Sequence, residues 1–272
     1  MKIIISHDVD HLYPVDHILH DLIIPKLWIR SFFHLCKKKI TWKTFFYRLG
    51  YPFYRRYHRL EEVMEVDQKF QIPSIFFFGM KRGLGMSYGG EKAKKCMEIV
   101  KKSGFDIGIH GIEYQDKKGI EDEYHMFKKL TGEETVGIRM HYVRYNEDTF
   151  RLLSEVGYLF DSSEFSKEGN ILKNPYKVGN MWELPLCIMD GYIITKGNLK
   201  KSIEDTKKVL EEAENRQIEY CTILYHDYQY DEHTYPDEKK WYDWLVEYIH
   251  EKNYKCISYY DAIKELEKKV EE

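Results

Sequence analysis

The sequence predicts an α/β fold, a distorted (β/α) barrel of seven or eight strands with a helical insertion after strand one. Short runs of apolar, β-branched and aromatic residues alternate with segments of helical periodicity, as in parallel strands joined by helices. Seven or eight such units fit within 272 residues, a typical length for a barrel. A doubly wound open sheet is the alternative, but neither a G-x-G-x-x-G nor a P-loop spacing supports a nucleotide-binding fold.

Eight runs have the length and composition of buried strands. In chain order they are Lys2–Ser6, Pro73–Phe78, Asp106–His110, Val136–Arg139, Tyr158–Asp161, Trp182–Leu186, Cys221–His226 and Lys255–Ser258. Seven segments with helical periodicity alternate with them: Leu60–Phe70, Glu91–Ser103, Ile120–Thr131, Asn146–Val156, Leu199–Arg216, Lys239–Lys252 and Tyr259–Lys269. Asn146 is the expected N-cap of its helix, and Gly157 and Gly104 are expected to end the helices before them.

The segment Leu12–Leu60 does not follow this alternation. It contains ten Lys and Arg residues against two acids, a charge of +8, so the rest of the chain must carry −11 to give the total of −3. It also holds 12 of the 42 aromatic residues, spaced as on helices with aromatic and basic faces. We predict a helical insertion at about 12–60, at the mouth of a single catalytic domain that covers residues 1–272.

Composition argues against several classes of protein. Five scattered cysteines without a C-x-x-C pair speak against a disulfide framework or a thiolate zinc site. The apolar start of the chain is too short for a signal peptide, and no run approaches the roughly 18 apolar residues of a membrane-spanning helix. We therefore expect a cytoplasmic protein. The near-zero net charge gives no reason to expect a nucleic-acid partner.

Polar side chains follow five of the predicted strands at their C-terminal ends. In a parallel barrel these ends meet at one rim, where functional groups collect. The side chains, strand by strand, are His7, Asp8, Asp10 and His11, then His110, Glu113 and Tyr114, then Arg139 and His141, then Asp161, and finally His226 and Asp227. Five such strand ends on one rim predict a functional site.

Asp8 and Asp10 suggest catalysis at a metal ion. Alternation along an extended chain sends both carboxylates to the same side, and a divalent cation bound by one would let the other act as a base. A catalytic zinc typically has three protein ligands and an open position for water. Asp10 and His110 would supply two ligands, and we predict His141 as the third. The alternatives for the third ligand are Glu113, Tyr114 and His11.

Two further strand ends carry candidate catalytic groups. Arg139, next to the pair of aspartates, would orient one carboxylate and keep it ionised, unless it forms an ordinary interior ion pair. His226 ends a strongly apolar strand and could serve as a general acid if a carboxylate partners it. The alternative is a histidine that simply caps the core.

Six short motifs occur along the chain in one order. They are Ser6-His-Asp-Val-Asp10, Asp106-Ile-Gly-Ile-His110-Gly, Arg139-Met-His-Tyr, Tyr158-Leu-Phe-Asp-Ser-Ser163, Glu183-Leu-Pro-Leu and Ile223-Leu-Tyr-His226. This ordered set resembles the polysaccharide deacetylase family (NodB-homology, carbohydrate esterase family four). More narrowly, it is similar to the subgroup that opens with His-Asp-Val-Asp. The resemblance covers residues 2 to about 262.

The resemblance implies a distorted (β/α) barrel and a divalent metal, usually zinc and sometimes cobalt or nickel. It also implies hydrolysis of an N-acetyl group on an amino sugar. By resemblance, Asp8 is the catalytic base, and Asp10 and His110 bind the metal. Arg139 is the arginine that orients the base, and His226 is the catalytic acid.

The substrate site is also expected from the resemblance. Glu183 to Leu186 resemble the motif that lines the acetyl pocket. The candidate substrate-binding residues are Tyr142, Asp161, Glu183 and Leu186. The chain departs from the family at Tyr114, because the usual second metal-binding histidine lies four residues after the first. Either His141 replaces it, or the metal site is weaker, or the site is lost.

The expected substrate is an amino-sugar glycan or a lipid- or nucleotide-linked sugar. The basic and aromatic insertion could clamp a phosphate on such a substrate or lie against anionic lipid headgroups, and the alternative is that its aromatic residues pack on the barrel. Two other functions stay open. One is a metal-dependent amidohydrolase that acts on a non-sugar amide, and the other is a catalytically inactive glycan-binding homologue.

Overall fold

One curled sheet runs through the molecule. The computed structural model describes residues 1–17, 21–166 and 172–271. The strands of these ranges are β1 (Lys2–Val9), β2 (Ile75–Gly79), β3 (Asp106–Gly111), β4 (Gly137–Met140), β5 (Phe160–Asp161), β6 (Tyr176–Val178), β7 (Met181–Glu183), β8 (Leu186–Met189), β9 (Tyr220–Leu224) and β10 (Lys255–Cys256). The helices are α1 (Ile23–Cys36), α2 (Trp42–Leu49), α3 (Leu60–Lys69), α4 (Gly90–Lys102), α5 (Lys117–Thr131), α6 (Thr149–Val156), α7 (Asp190–Ile193), α8 (Leu199–Asn215), α9 (Pro236–Glu251) and α10 (Tyr259–Glu271).

Eight parallel strands confirm the predicted distorted barrel. Neighbouring strands follow the order β8-β9-β1-β2-β3-β4-β5-β7, and every pair in this series is parallel. The short strand β6 adds to β7 in the antiparallel direction, and β10 pairs with the first residues of β1. The expected count of seven or eight strands is thus matched only roughly, because β6 was not predicted and one predicted strand is divided.

The divided strand contributes to both ends of the parallel sheet. The prediction of one strand over Trp182–Leu186 is wrong, because β7 ends at Glu183 and β8 begins at Leu186. Pro185 between them has no N–H to give to a strand partner. β7 pairs with β5, whereas β8 pairs with β9 at the other end of the series. Two residues of chain therefore join the two ends of the parallel sheet, with no ladder between them.

Alternation along β1 separates a core face from a site face. Ile3, Ile5 and Val9 pack in the large cluster beneath the outer helices, while Ile4 belongs to a second cluster with Phe77 and Tyr259. The side chains of Ser6 and Asp8 lie on the same side as that of Ile4. Because the neighbouring strands are parallel to β1, their C-terminal ends reach the same rim.

The predicted helices are all present, with ends shifted by a few residues. α6 begins at Thr149 rather than directly after Asn146, although Asn146 Oδ1 accepts the N–H of Thr149 at 3.0 Å. Gly157 and Gly104 end α6 and α4 with φ angles of 104° and 84°, conformations that favour glycine. The short helix α7, directly after β8, was not predicted.

The insertion after strand one is helical, as predicted. α1 and α2 lie between β1 and α3 and pack against each other, and the indole N–H of Trp28 donates to the carbonyl of Arg48 at 3.2 Å. In the described part of the chain, no helix combines the length and apolar character needed to cross a membrane.

Candidate metal centre

Three side chains from three strand ends converge at the rim of the barrel. Asp10 follows β1, His110 lies in β3 and His141 follows β4. Asp10 Oδ1 is 3.3 Å from His110 Nε2 and 3.4 Å from His141 Nδ1, and these two nitrogens are 3.0 Å apart. Ligand atoms around a tetrahedral zinc with bonds of about 2.0–2.1 Å lie about 3.3 Å from one another. The predicted ligands thus form a triad with a spacing that could hold a metal ion.

Hydrogen bonds fix which ring nitrogens of the triad can bind a cation. His110 Nδ1 is 3.0 Å from the carbonyl oxygen of Arg139, and His141 Nε2 is 3.2 Å from that of Leu84. A carbonyl oxygen only accepts, so these nitrogens donate their N–H, and the facing nitrogens keep their lone pairs. Asp10 Oδ1 is buried without a hydrogen-bond partner among the described residues. Three inward lone pairs, two of them on rings held by carbonyls, fit a bound cation.

The charges around the triad favour a positive charge at its centre. Burial alone would raise the pKa of Asp10, but the His141 and His110 rings hold that pKa well below its usual range. Burial would lower the pKa of His110, yet the carboxylates of Asp8 and Asp10 raise it. The Asp10 carboxylate is therefore stable as an anion when a positive charge lies next to it.

Arg139 holds Asp8 beside the triad. The Arg139 side chain is fully buried, and each of its five N–H groups has an acceptor within 3.0 Å. Those acceptors are the Ser162 carbonyl, Ser6 Oγ, Asp8 Oδ1, Ser162 Oγ and Tyr259 Oη. Burial alone would lower the pKa of Arg139, but Tyr259 and Asp8 more than offset this effect. The pKa is raised as a result, and the guanidinium stays charged. Asp8 Oδ1 is thereby fixed, and its Oδ2 lies 3.6 Å from His110 Nε2.

His226 enters the site from β9 with a partner that the sequence did not reveal. His226 Nδ1 is 2.8 Å from Asp190 Oδ1, and the backbone N–H of His226 donates to Asp190 Oδ2 at 2.7 Å. His226 Nε2 lies 3.6 Å from Asp10 Oδ2. Burial lowers the pKa of His226, but the Asp190 carboxylate outweighs it and raises the pKa to about 10. Asp190 thus orients the ring and stabilises its protonated form.

Two predicted substrate-binding residues lie beneath the rim. Asp161 and Glu183 are adjacent in the β5–β7 register and have no exposed surface. Burial raises the pKa of both carboxyls, and for Glu183 the neighbouring Asp161 raises it further. Asp161 Oδ1 accepts from Ser163 Oγ at 2.6 Å, and Glu183 Oε1 accepts from the Glu164 N–H at 2.9 Å. The two carboxyls thus hold Ser163 and Glu164, which follow β5 at the rim, from below. Their contact with a substrate stays a prediction.

Of the other two predicted substrate-binding residues, Leu186 is buried and Tyr142 is exposed. Leu186 packs in a small apolar cluster with Val143, Met189 and Leu224. Tyr142 is 57% exposed and has a φ angle of 60°, an uncommon left-handed conformation directly after His141. Backbone outliers of this kind cluster at functional sites.

A cavity of about 570 Å³ opens beside the triad. Asp10, His141 and Tyr142 lie along one part of its wall, and Lys26 and Arg30 of α1 lie along another. The insertion therefore forms part of the site cavity, as its predicted place at the mouth of the barrel requires.

The alternative third ligands lie outside the triad. Glu113 Oε1 accepts three backbone N–H groups, from Tyr114, Gln115 and Asp116. The Tyr114 ring lies under the guanidinium of Arg144. The His11 ring lies in the cavity wall, where it meets the His17 ring edge-on and the Tyr228 ring at a tilt.

His7 lies on the opposite side of β1. Its ring contacts Asp67 Oδ2 at 2.9 Å and the Tyr225 carbonyl at 3.0 Å, in the core beneath the outer helices. It therefore adds nothing to the site.

Comparison with known proteins rests on structure alone, since no protein-family model and no curated protein sequence matches this chain. A protein of Mycobacterium smegmatis assigned as a polysaccharide deacetylase is similar, with a TM-score of 0.62, 16% identity, and coverage of 97% of this chain and 88% of the other. A PuuE allantoinase is similar, with a TM-score of 0.63, 14% identity, and coverage of 96% and 88%. A Pseudomonas aeruginosa PAO1 protein assigned as a polysaccharide deacetylase has a TM-score of 0.56, 14% identity, and coverage of 76% and 71%.

These structural similarities confirm, at the level of the fold, the predicted resemblance to polysaccharide deacetylases. The narrower resemblance, to the subgroup that opens with His-Asp-Val-Asp, stays a prediction. The chain has the distorted barrel fold of solved proteins assigned as polysaccharide deacetylases.

Proposed function

We propose that this protein is a metal-dependent hydrolase that removes N-acetyl groups from an amino-sugar-containing glycan or glycan precursor. The observation that carries the proposal is the arrangement around Asp10, His110 and His141. A carboxylate fixed by an arginine, Asp8, lies next to this triad, and so does a histidine paired with a carboxylate, His226. A base and an acid next to one cation site suit hydrolysis of an amide.

The proposed ion is divalent, with zinc first and cobalt or nickel as alternatives. When bound, it would supply a Lewis acid that lowers the pKa of water and polarises a carbonyl group. Asp10 Oδ1, His110 Nε2 and His141 Nδ1 would hold it. Asp8 accepts the proton of the attacking water at Oδ2, because its Oδ1 is occupied by Arg139.

His226 donates the second proton. Its Nδ1–H is held by Asp190, so its Nε2–H is free to protonate the leaving amine. The raised pKa keeps this proton on the ring at neutral pH. Acetate and a free amino sugar are the expected products.

We also assign roles to the predicted substrate residues. The apolar cluster around Leu186 would receive the acetyl methyl group, because a methyl group gains from apolar surroundings. The exposed ring of Tyr142 would stack on a sugar face at the cavity wall. Asp161 and Glu183 would hold the rim from below.

Lys26 and Arg30 support a substrate that carries phosphate. Both line the cavity beside the triad, and neither forms an ion pair within residues 1–17, 21–166 and 172–271. A lipid- or nucleotide-linked sugar would offer them its phosphate groups. Five free cysteines are consistent with the reducing, cytoplasmic compartment that we propose for this protein.

The direct test is acetate release from a panel of N-acetylated sugars, free, nucleotide-linked and lipid-linked, with and without added zinc. We expect acetate from one class only, and none from the Asp8→Asn variant with its metal content unchanged. Full turnover by Asp8→Asn would overturn the assigned base.

A metal-dependent amidohydrolase that acts on a non-sugar amide is the second candidate. The similarity in fold to an allantoinase favours it, since allantoin is an amide and not a sugar. Hydrolysis of allantoin or a related amide without acetate release would decide for this candidate. Glycan binding without any bound metal would instead point to a non-catalytic protein.

A further inference from the structure

Large apolar side chains are exposed mainly on the insertion between β1 and α3. Of fourteen exposed large apolar residues in the described chain, nine lie between residues 15 and 53. They are Val15, Leu22, Trp28, Ile29, Phe32, Phe33, Trp42, Phe46 and Phe53. The alternative, in which the aromatic residues of the insertion pack on the barrel, therefore does not hold for the aromatic residues among these nine.

The outer face of α1 is apolar along its length. Successive residues of a helix are rotated by about 100° about its axis. With that rotation, one face of α1, within about 60° of a common direction, carries Pro25, Ile29, Phe32, Phe33 and Cys36. The buried residues of the helix, Ile24 and Ser31, lie on the opposite side. Ile29 is 60% exposed, and Phe32 and Phe33 are each 55% exposed. A helix that is apolar on both faces is normally covered on both, so this outer face requires a partner.

Cations flank the apolar face without acidic partners. A cleft of about 460 Å³ beside it is lined by Lys26, Arg30, Lys37 and Lys39 together with Ile29 and Phe33. None of these four cations forms an ion pair with any residue that the structure describes. Burial and the surrounding cations Lys196, Arg48, Lys39 and Arg30 lower the pKa of His34, beside the cleft, to about 4. The partner of this face is therefore apolar and negatively charged.

We propose that the outer face of α1, defined by Ile29, Phe32, Phe33 and the cations Lys37, Lys38 and Lys39, docks on an anionic lipid bilayer. Apolar and aromatic residues flanked by lysines are the composition of helices that lie in the membrane interface. α1 has 14 residues. At 1.5 Å per residue it is about 21 Å long, shorter than the roughly 30 Å of bilayer hydrocarbon, so it lies along the surface.

The second helix of the insertion supplies a further anchor. Trp42 and Phe46 of α2 are 65% and 62% exposed, and their rings stack 6.2 Å apart. Tryptophan is favoured at the headgroup level, because its ring is apolar and its N–H is polar.

Docking in this way would hold the site near the lipid headgroups. Lys26 and Arg30 line both the basic cleft and the cavity beside the triad. The mouth of the cavity and the docking face therefore share one helix. A sugar linked to a membrane lipid through phosphate would reach the cavity without leaving the bilayer. This consequence rests on the proposed function, whereas the docking itself does not.

The test is co-sedimentation of the full chain with vesicles of phosphatidylcholine alone, or of phosphatidylcholine mixed with phosphatidylglycerol. We expect binding to the mixed vesicles only, weakened by added salt. The variants F32S/F33S and K37Q/K38Q/K39Q should each bind about tenfold less or weaker still. Val270→Ser changes a 62% exposed apolar residue on α10 and should bind like the wild-type protein.

Circular dichroism and thermal melting show whether each variant is folded. Failure of the wild-type protein to bind mixed vesicles would overturn the proposal, as would equal binding by F32S/F33S. A concentration-dependent dimer that F32S/F33S abolishes, in a protein that binds no vesicles, would show that a second copy covers the face. Vesicle binding is measured without any hydrolysis, so its outcome is independent of the proposed activity.

Discussion

His110 Nε2 and His141 Nδ1 lie 3.0 Å apart, although each ring gives its other N–H to a backbone carbonyl. In their neutral forms neither nitrogen has a hydrogen for the other, and Asp10 Oδ1 adds a third acceptor 3.3–3.4 Å away. Three acceptors at contact distance are stable only with positive charge among them, either a proton or a metal ion. Metal analysis separates these two cases.

The first prediction concerns the ligands. His141→Ala and Asp10→Ala should each lower the affinity for zinc by about 100-fold or more, because loss of a direct ligand costs more than loss of the groups that hold it. Calorimetric zinc titration of the folded variants measures this. Tyr114→Phe, at one of the alternative ligand positions outside the triad, should bind zinc like the wild-type protein. If His141→Ala binds zinc as tightly as the wild-type protein, His141 is not the third ligand.

The second prediction concerns Asp190, which positions His226. Asp190→Asn should lower kcat by about 10²–10⁴-fold, since the ring loses the carboxylate that orients it and stabilises its charged form. KM and zinc content should change little, because Asp190 contacts neither the cavity nor the triad. Steady-state kinetics with matched metal analysis provide the check. Loss of zinc together with activity would instead indicate a structural role.

The third prediction concerns the buried pair of Arg139 and Asp8. Arg139→Met leaves a buried carboxylate without its cation and should lower the free energy of unfolding by about 3–5 kcal/mol. Urea denaturation measures the loss. Arg151→Met is the matched control, because Arg151 pairs with Asp148 and Glu155 at the exposed surface and its loss should change the stability far less.

The double variant Asp8→Leu/Arg139→Met should recover part of that stability, since it leaves no unpaired charge. If the double variant is as unstable as the sum of the two single ones, the ion pair is not the cause.

The fourth prediction concerns pH. Burial raises the pKa of Glu123 to about 7, and the N–H groups of Ile112 and Glu113 offset this only in part. Between its usual value near 4.3 and about 7, the folded protein keeps a proton that the unfolded chain has lost. The folded state therefore binds more protons, and its stability falls as pH rises through this range, by at most roughly 4 kcal/mol.

Glu123→Gln should remove that part of the pH dependence, measured by urea denaturation from about pH 4 to about pH 8, a range that spans both pKa values. Asp122→Asn, at an exposed position on the same helix, should keep the wild-type slope. An unchanged slope in Glu123→Gln would assign the pH dependence to other groups.

Most of the triad followed from local rules that a single sequence contains. Alternation along β1 put Asp8 and Asp10 on one side, and parallel strands brought His110 and His141 to the same rim. The same alternation places His7 on the opposite side, in contact with Asp67, although its sequence position next to Asp8 suggested a role in the site.

Asp190 was missed because its partner, His226, is 36 residues away and no local pattern joins the two. The clearest local signal was an acidic residue directly after an apolar run, Leu186–Met189. The prediction of one strand over Trp182–Leu186 hid this signal, because Pro185 divides that strand. The run Leu186–Met189 is a strand of its own, and its C-terminal end lies at the rim. The exposure of the outer face of α1 was equally unpredictable, because periodicity shows two apolar faces but not which of them is covered.

The position of β1 in the sheet sets the order in which this chain can fold. β1 pairs with β2, but also with β9 and β10, which lie far away in the sequence. Ile3, for example, pairs with Cys221 of β9 and with Cys256 of β10. During synthesis the earliest strand must therefore wait, with its isoleucines unpaired on one edge, until more than two hundred further residues have emerged. Such long loop closures slow folding and expose an aggregation-prone edge. We expect refolding to be slow and strongly dependent on protein concentration, and chaperones to matter most in that interval.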